Sequence, residues 1–156
     1  MATTTRANLG DFSSIICFKS VITGMEDALG EKATAIALIS AGRARGKALA
    51  KSLGLSGAST DLAKIAALLN EAVGQNGTRL TAVDSIVEEG DLIKVFCSET
   101  VCSSGEEIGS PRKCTFSMGA IWGALEEVTG QKLRGTHTES VLRGGTHDVF
   151  EFTKMG

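Results

Sequence analysis

The sequence predicts an α+β domain built on an antiparallel sheet. Three observations carry that expectation. The first half of the chain repeats its apolar residues with a helical period. The second half contains four short β-rich runs, arranged as two pairs that each turn at glycine. No strand–helix–strand alternation, the pattern that builds a parallel sheet, is present. The order read along the chain is three helices, a hairpin, a helix and a second hairpin.

Each element follows from local pattern. Residues 1–11 read as a polar, flexible start, leaving residues 12–156 as a single domain of ordinary size. Between Phe12 and Leu29, the spacing of Val21, Ile22, Met25 and Leu29 is helical, and Gly30 stops the helix. The preceding Ser-Ser-Ile-Ile-Cys17 run is open to either a helical or an extended reading. Residues 31–53 form the clearest helix: Ile39, Gly42, Gly46, Leu49 and Leu53 fall on one stripe. Glycine inside a helix costs about 1 kcal/mol relative to alanine, so two of them on a buried stripe predict a close backbone approach. A third helix is expected to start from a cap at Ser59 or Thr60 and to bury Leu62, Ile65, Ala66, Leu69 and Val73. Residues 79–88 and 92–99 pair around Gly90. A loop runs over residues 100–113, and a fourth helix carries Met118, Ile121, Trp122, Leu125 and Val128 on one face. Residues 132–142 and 147–153 close the chain as a hairpin, with Phe150 and Phe152 on one side of its last strand.

Composition narrows the function. Apolar residues make up 42%, charged residues 22%, and the net charge is −2. A disordered tail, a collagen-like repeat and a general nucleic-acid binder, which is normally basic, are excluded. No apolar run is long enough to span a membrane, and residues 1–6 lack the apolar core of an export signal. A cytoplasmic chain with Cys17, Cys97, Cys102 and Cys114 as thiols is therefore expected ahead of one with disulfides. Six Phe, one Trp and no Tyr among 19 Gly fit either tightly packed helices or an aliphatic cavity.

The motifs that carry chemistry are few. Gly42-Arg-Ala-Arg-Gly46-Lys47-Ala48 is one residue short of a phosphate-binding loop, lacks its hydroxyl, and lies within a helix. Arg43, Lys47 and Lys51 share a helix face, suited to an anion or simply to solvent. No metal site is expected. The alternative is Cys97, Cys102 and Cys114 with His137 or His147, at a spacing that departs from zinc-site patterns. A Cys97–Cys102 disulfide is a further possibility for these thiols. His137 and Glu139, two apart on a strand, are expected on the same side.

The run from Cys114 through Phe116, Gly119, Gly123 and Leu125 to Gly130 resembles the core motif of the four-vinyl-reductase-type, or hydrocarbon-binding, domain of photosynthetic bacteria. The strand ending in Glu139, the Gly turn and the Phe-x-Phe end resemble it too, as do Ala41 to Lys47 and Leu49. That resemblance covers about residues 15–153 and implies a four-stranded antiparallel sheet with helices packed on it, the fold of the small TRAPP subunits. It also implies pairing through helices and a hydrophobic guest. The sequence departs from the family where two cysteines of the last hairpin become Leu142 and Phe150.

The resemblance implies a non-enzymatic binder of a hydrophobic ligand, above all a tetrapyrrole such as chlorophyll or a precursor, serving pigment handling or photosystem assembly. Arg43, Met118, Ile121, Trp122, Leu125, His137, Glu139 and Phe150 are the expected ligand-binding residues. Trp122 offers a stacking face, Arg43 a partner for a carboxylate, and His137 an axial ligand. No cofactor is required, and a tetrapyrrole is the one group expected as a bound guest. The expected partners are a second copy of the chain and thylakoid-associated proteins, with the chain peripheral to that membrane. Two other functions are weighed. One is a TRAPP-like dimeric interaction module whose glycine-bearing helices pair. The other is a tetrapyrrole side-chain reductase using His137 and Glu139 as acid and base.

Overall fold

The structure, a computed structural model, describes residues 6–57 and 61–156. Among them the helices are α1 (Ile15–Leu29), α2 (Glu31–Ser52), α3 (Leu62–Val73) and α4 (Phe116–Thr129). The strands are β1 (Ala82–Glu89), β2 (Leu92–Ser98), β3 (Leu133–Glu139) and β4 (Asp148–Lys154), with a short 3-10 turn at Val141–Arg143. The sheet is antiparallel with strand order β1-β2-β4-β3. The predicted α+β class and element order are observed. No helix is long and apolar enough to cross a membrane among the described residues.

Local chemistry accounts for the boundaries. The Ser14 side chain accepts a hydrogen bond from the Ile16 amide and starts α1, which makes Ile15 and Ile16 helical rather than extended. Gly30, at φ 85°, separates α1 from α2, a backbone state that favours glycine. The predicted caps Ser59 and Thr60 lie outside the described residues. Asp61 caps α3 by accepting from the Lys64 amide.

One face of the sheet and two helices make the main core. Ile93, Val95, Phe150 and Phe152 from the central strands pack with Ile65 and Leu69 of α3 and with Ile121 and Leu125 of α4. The fourth helix is buried on nearly every side, as expected of a helix that is apolar all round. Its second face, which carries Gly119 and Gly123, meets Gly42 and Gly46 of α2. A Cβ on Gly42 would stand 2.9 Å from the Ala120 nitrogen, and one on Gly123 would stand 2.8 Å from the Arg43 carbonyl carbon. The two backbones are in contact, and the four glycines are what allows it. The expected use of Gly42 and Gly46 for close helix packing is thus met inside one chain. These four glycines are occupied within the chain, so a pairing of the glycine-bearing helices with a second copy would have to use another face of α2.

The first helix sits outermost. Its Ile22 joins Leu38 of α2 and Val101 in a small separate cluster, and Phe18 meets Phe116 edge to face at 5.3 Å.

Candidate functional site

A buried polar node lies where β4 begins. Strand alternation puts Asp148 on the same face as Phe150 and Phe152, so the carboxylate points into the protein and is fully buried. Its Oδ2 accepts from the hydroxyls of Thr100 and Ser103, each at 2.8 Å. The Cys114 amide donates to His137 Nδ1 at 3.0 Å. An amide can only donate, so Nδ1 is bare and Nε2 carries the proton that reaches Asp148 Oδ1 at 3.1 Å. Burial pushes the Asp148 carboxyl upward. Hydrogen bonds from His137, Thr100, Ser103 and Ser140 outweigh it and hold the group well below the usual carboxylate range. Asp148 is thus a buried anion stabilised by neutral hydrogen-bond donors.

The cysteines differ from expectation. Cys102 and Cys114 form a disulfide, neither the free thiols expected for a cytoplasmic chain nor the Cys97–Cys102 pair considered. The physical reason is the 100–114 loop, which folds back so that both its ends rest on Asp148 and His137. Cys97 is a buried thiol, pushed by burial up to about 12. It is protonated and inert at neutral pH. Cys17 is exposed. Iodoacetamide at pH 8 is therefore expected to label Cys17 in the native chain and Cys97 only after unfolding, read by intact-mass spectrometry.

Could the node hold a metal or catalyse? Cys114, His137 and Asp148 bring ligand-type atoms within 4.8 Å of one another. As bonded here they do not fit a cation, because the Cys114 sulfur is bonded to Cys102 and both His137 nitrogens are engaged. The alternative set Cys97, Cys102 and Cys114 is not assembled around a common point. A nucleophilic triad is also not formed: the histidine faces the Cys114 amide rather than a free thiol. His137 and Glu139 do not share a side. A bulge between them shifts the β3–β4 register, so His137 is buried while Glu139 is exposed. With both ring nitrogens engaged, His137 has none to offer the metal of a macrocycle.

The other expected ligand residues divide into two groups. Ile121, Leu125 and Phe150 lie inside the core at 1% exposure or less. Arg43, Met118 and Trp122 line an open groove of about 620 Å³ on the seam between α2 and α4. There the Arg43 guanidinium lies 4.3 Å above the Trp122 ring and donates to Glu126 at 2.7 Å. The Trp122 indole N–H donates to the Leu133 carbonyl at 3.0 Å. Gly135 makes room for the indole: a Cβ there would stand 2.9 Å from it.

A second, more apolar groove of about 860 Å³ opens beside α1. Phe12, Ile15, Phe18 and Val21 form one wall, Leu80 and Val101 the other, with Cys17 and Arg79 at its rim. None of its residues was singled out from the sequence as ligand-binding. One signal was available: the apolar excess at the start of α1.

No family model matches the chain, and no curated protein matches it. Solved structures do. The phenol-responsive sensory domain of the transcription activator PoxR, crystallised with phenol, superposes with a TM-score of 0.67 at 13% identity, covering 92% of this chain and 75% of that one. Trafficking protein particle complex subunit 3 from Naegleria fowleri, covalently bound to palmitic acid, superposes with a TM-score of 0.58 at 16% identity, covering 91% and 93%. The chain has the α+β fold of these two proteins, four helices on a four-stranded antiparallel sheet.

Proposed function

We propose that this chain is a binding domain for a small hydrophobic ligand and that the groove beside α1 receives it. The observation that carries this reading is the groove itself, lined mainly by apolar side chains and large enough for a guest of drug-like size. Two proteins of the same fold hold phenol and palmitic acid, which supports a hydrophobic guest here. Affinity would come from burial, at about 0.8 kcal/mol per buried methylene before ordering costs.

A tetrapyrrole in pigment handling is the finer form of the proposal, with a planar guest stacking on Trp122 in the α2–α4 groove. It would have to displace Arg43 both from the Trp122 ring and from Glu126.

Titration with phenol, palmitate and protoporphyrin, followed by calorimetry and absorption, tests both forms. Saturable binding of at least one class at one site per chain is expected. Ile15→Asp places a charge in the groove wall at a helix start that tolerates acid. It is expected to weaken phenol or palmitate binding at least about tenfold, since charge burial is costly. A porphyrin-only response that survives Ile15→Asp and is lost in Trp122→Ala would move the site to the α2–α4 seam. No saturable binding of any of the three would overturn the proposal.

A pairing role has its own support. The side of α2 turned away from α4 exposes Ala33, Ala37, Ala41 and Ala48. Small residues at this spacing let a second helix approach closely. We place the homodimer contact on this face. Sedimentation is expected to show a dimer that Ala41→Arg converts to a monomer; a monomeric starting chain would rule it out.

A further inference from the structure

We propose that the Cys102–Cys114 disulfide is a redox latch that holds α1 in place, and that reducing it loosens the groove beside that helix. The effect on α1 stands on the observations below alone; the effect on a ligand rests on the proposed function.

The latch is read from what α1 is tied to. Lys19 donates to the carbonyls of Cys102 and Ser104, each at 2.8 Å, and pairs with Glu106 at 3.0 Å. Glu26, nearly two turns further along α1, pairs with Arg112 at 2.9 Å, and Arg112 also pairs with Glu106 at 3.0 Å. Every one of these partners lies within or at the edge of the segment that the disulfide closes, residues 102–114. The rest of the helix's hold is one small cluster: Ile22, its one buried residue, with Phe18 and Met25 beside it, packs with Leu38, Val101 and Phe116, while Ile16 and Val21 are exposed. The groove shares this dependence, because α1 forms one wall and Val101, next to Cys102, belongs to the other.

The chemistry balances with a dithiol as reductant. One of its thiolates attacks the sulfur of Cys102, the less deeply buried of the two residues. The Cys114 thiolate leaves and takes up a proton. The second thiol of the reductant then attacks the mixed disulfide, which releases Cys102 as a thiol and the reductant as a cyclic disulfide. Two electrons and two protons pass to the protein. Opening the cross-link returns conformational freedom to the loop. Thr100, Ser103 and the Cys114 amide still anchor its two ends on Asp148 and His137. The outcome is thus a loosened helix and not an unfolded domain.

The test uses the full chain, equilibrated first with oxidised and then with reduced dithiothreitol. Alkylation in denaturant is expected to count two free thiols in the oxidised form and four in the reduced form. Hydrogen exchange followed by mass spectrometry is expected to show residues 15–29 exchanging at least about tenfold faster after reduction, with β4 and α4 unchanged, as for a local opening. Lys19→Met, which leaves the disulfide intact, is expected to give the fast exchange even in the oxidised form. Four free thiols under oxidising conditions would overturn the proposal. So would α1 exchange that is unaltered once reduction is confirmed, or a protected α1 in oxidised Lys19→Met. Palmitate affinity, measured alongside, is expected to fall about tenfold on reduction. Equal affinity in both states overturns the coupling to the groove. No palmitate binding in either state, with α1 still responding, overturns the ligand reading and leaves the latch standing.

Discussion

Gly46→Ala is expected to destabilise the domain by at least about 3 kcal/mol, at the upper end of what overpacking costs, and to lower the thermal midpoint by about 6–12 °C. The added methyl would meet the Ala120 carbonyl carbon at 2.7 Å and the Ala124 nitrogen at 2.9 Å. Both are backbone atoms of α4, so no side chain can turn aside. The helices would have to separate, and Gly42, Gly119 and Gly123 would lose contact together. Gly24→Ala is the matched control. That glycine lies in α1 with nothing near its absent Cβ, so alanine there is expected to add about 0.5–1 kcal/mol of stability through helix propensity. The two substitutions are chemically identical and should differ in sign. A Gly46→Ala chain that melts with the wild type would show that the seam is not packed as described.

Asp148→Ala is expected to cost about 4 kcal/mol, the summed cost of three buried donors left unmet. It strands the His137 Nε2–H and the Thr100 and Ser103 hydroxyls in a dry site, each unmet donor costing about 1–3 kcal/mol. Asp148→Asn keeps the shape and removes the charge, and its smaller loss of about 2 kcal/mol reflects hydroxyls that can rotate to accept. The pH dependence follows from the depressed folded-state pKa. The unfolded chain binds the proton more readily, near pH 3.9. The stabilisation is therefore complete above about pH 5 and is lost as pH falls below about 4 toward the folded value. Urea midpoints measured at pH 7, 5 and 3.5 should fall steeply for the wild type on the last step, and less steeply for Asp148→Asn. Parallel curves would remove Asp148 from its assigned role.

Much of this architecture was legible before any coordinates. Ile65, Leu69 and Val73 at helical spacing, and Phe150 and Phe152 at spacing two, gave the core faces of α3 and β4 correctly. Gly42 and Gly46 announced a close helix contact. The site was far less legible. Asp148 was overlooked, although the alternation that buries Phe150 also buries it. A lone aspartate at a strand start reads as a turn residue until its donors are seen, and those donors, Thr100 and Ser103, lie 48 and 45 residues away. The bulge after His137 inverted the side on which Glu139 falls, because a single extra residue reverses a period of two. Cys102 and Cys114 are 12 residues apart with no strand or helix to set their distance, so no local rule brought them together.

Periodicity and glycine placement were enough to specify the helices, the two hairpins and the faces they bury. Those signals are local, and they repeat over many residues, so single errors average out. Which glycine helix meets which, where the anion lies, which thiols join and which side of α1 is left open were decided only by long-range packing. Each depends on one or two contacts between segments far apart in the chain, and a single contact of that kind leaves no periodic trace in the order of residues.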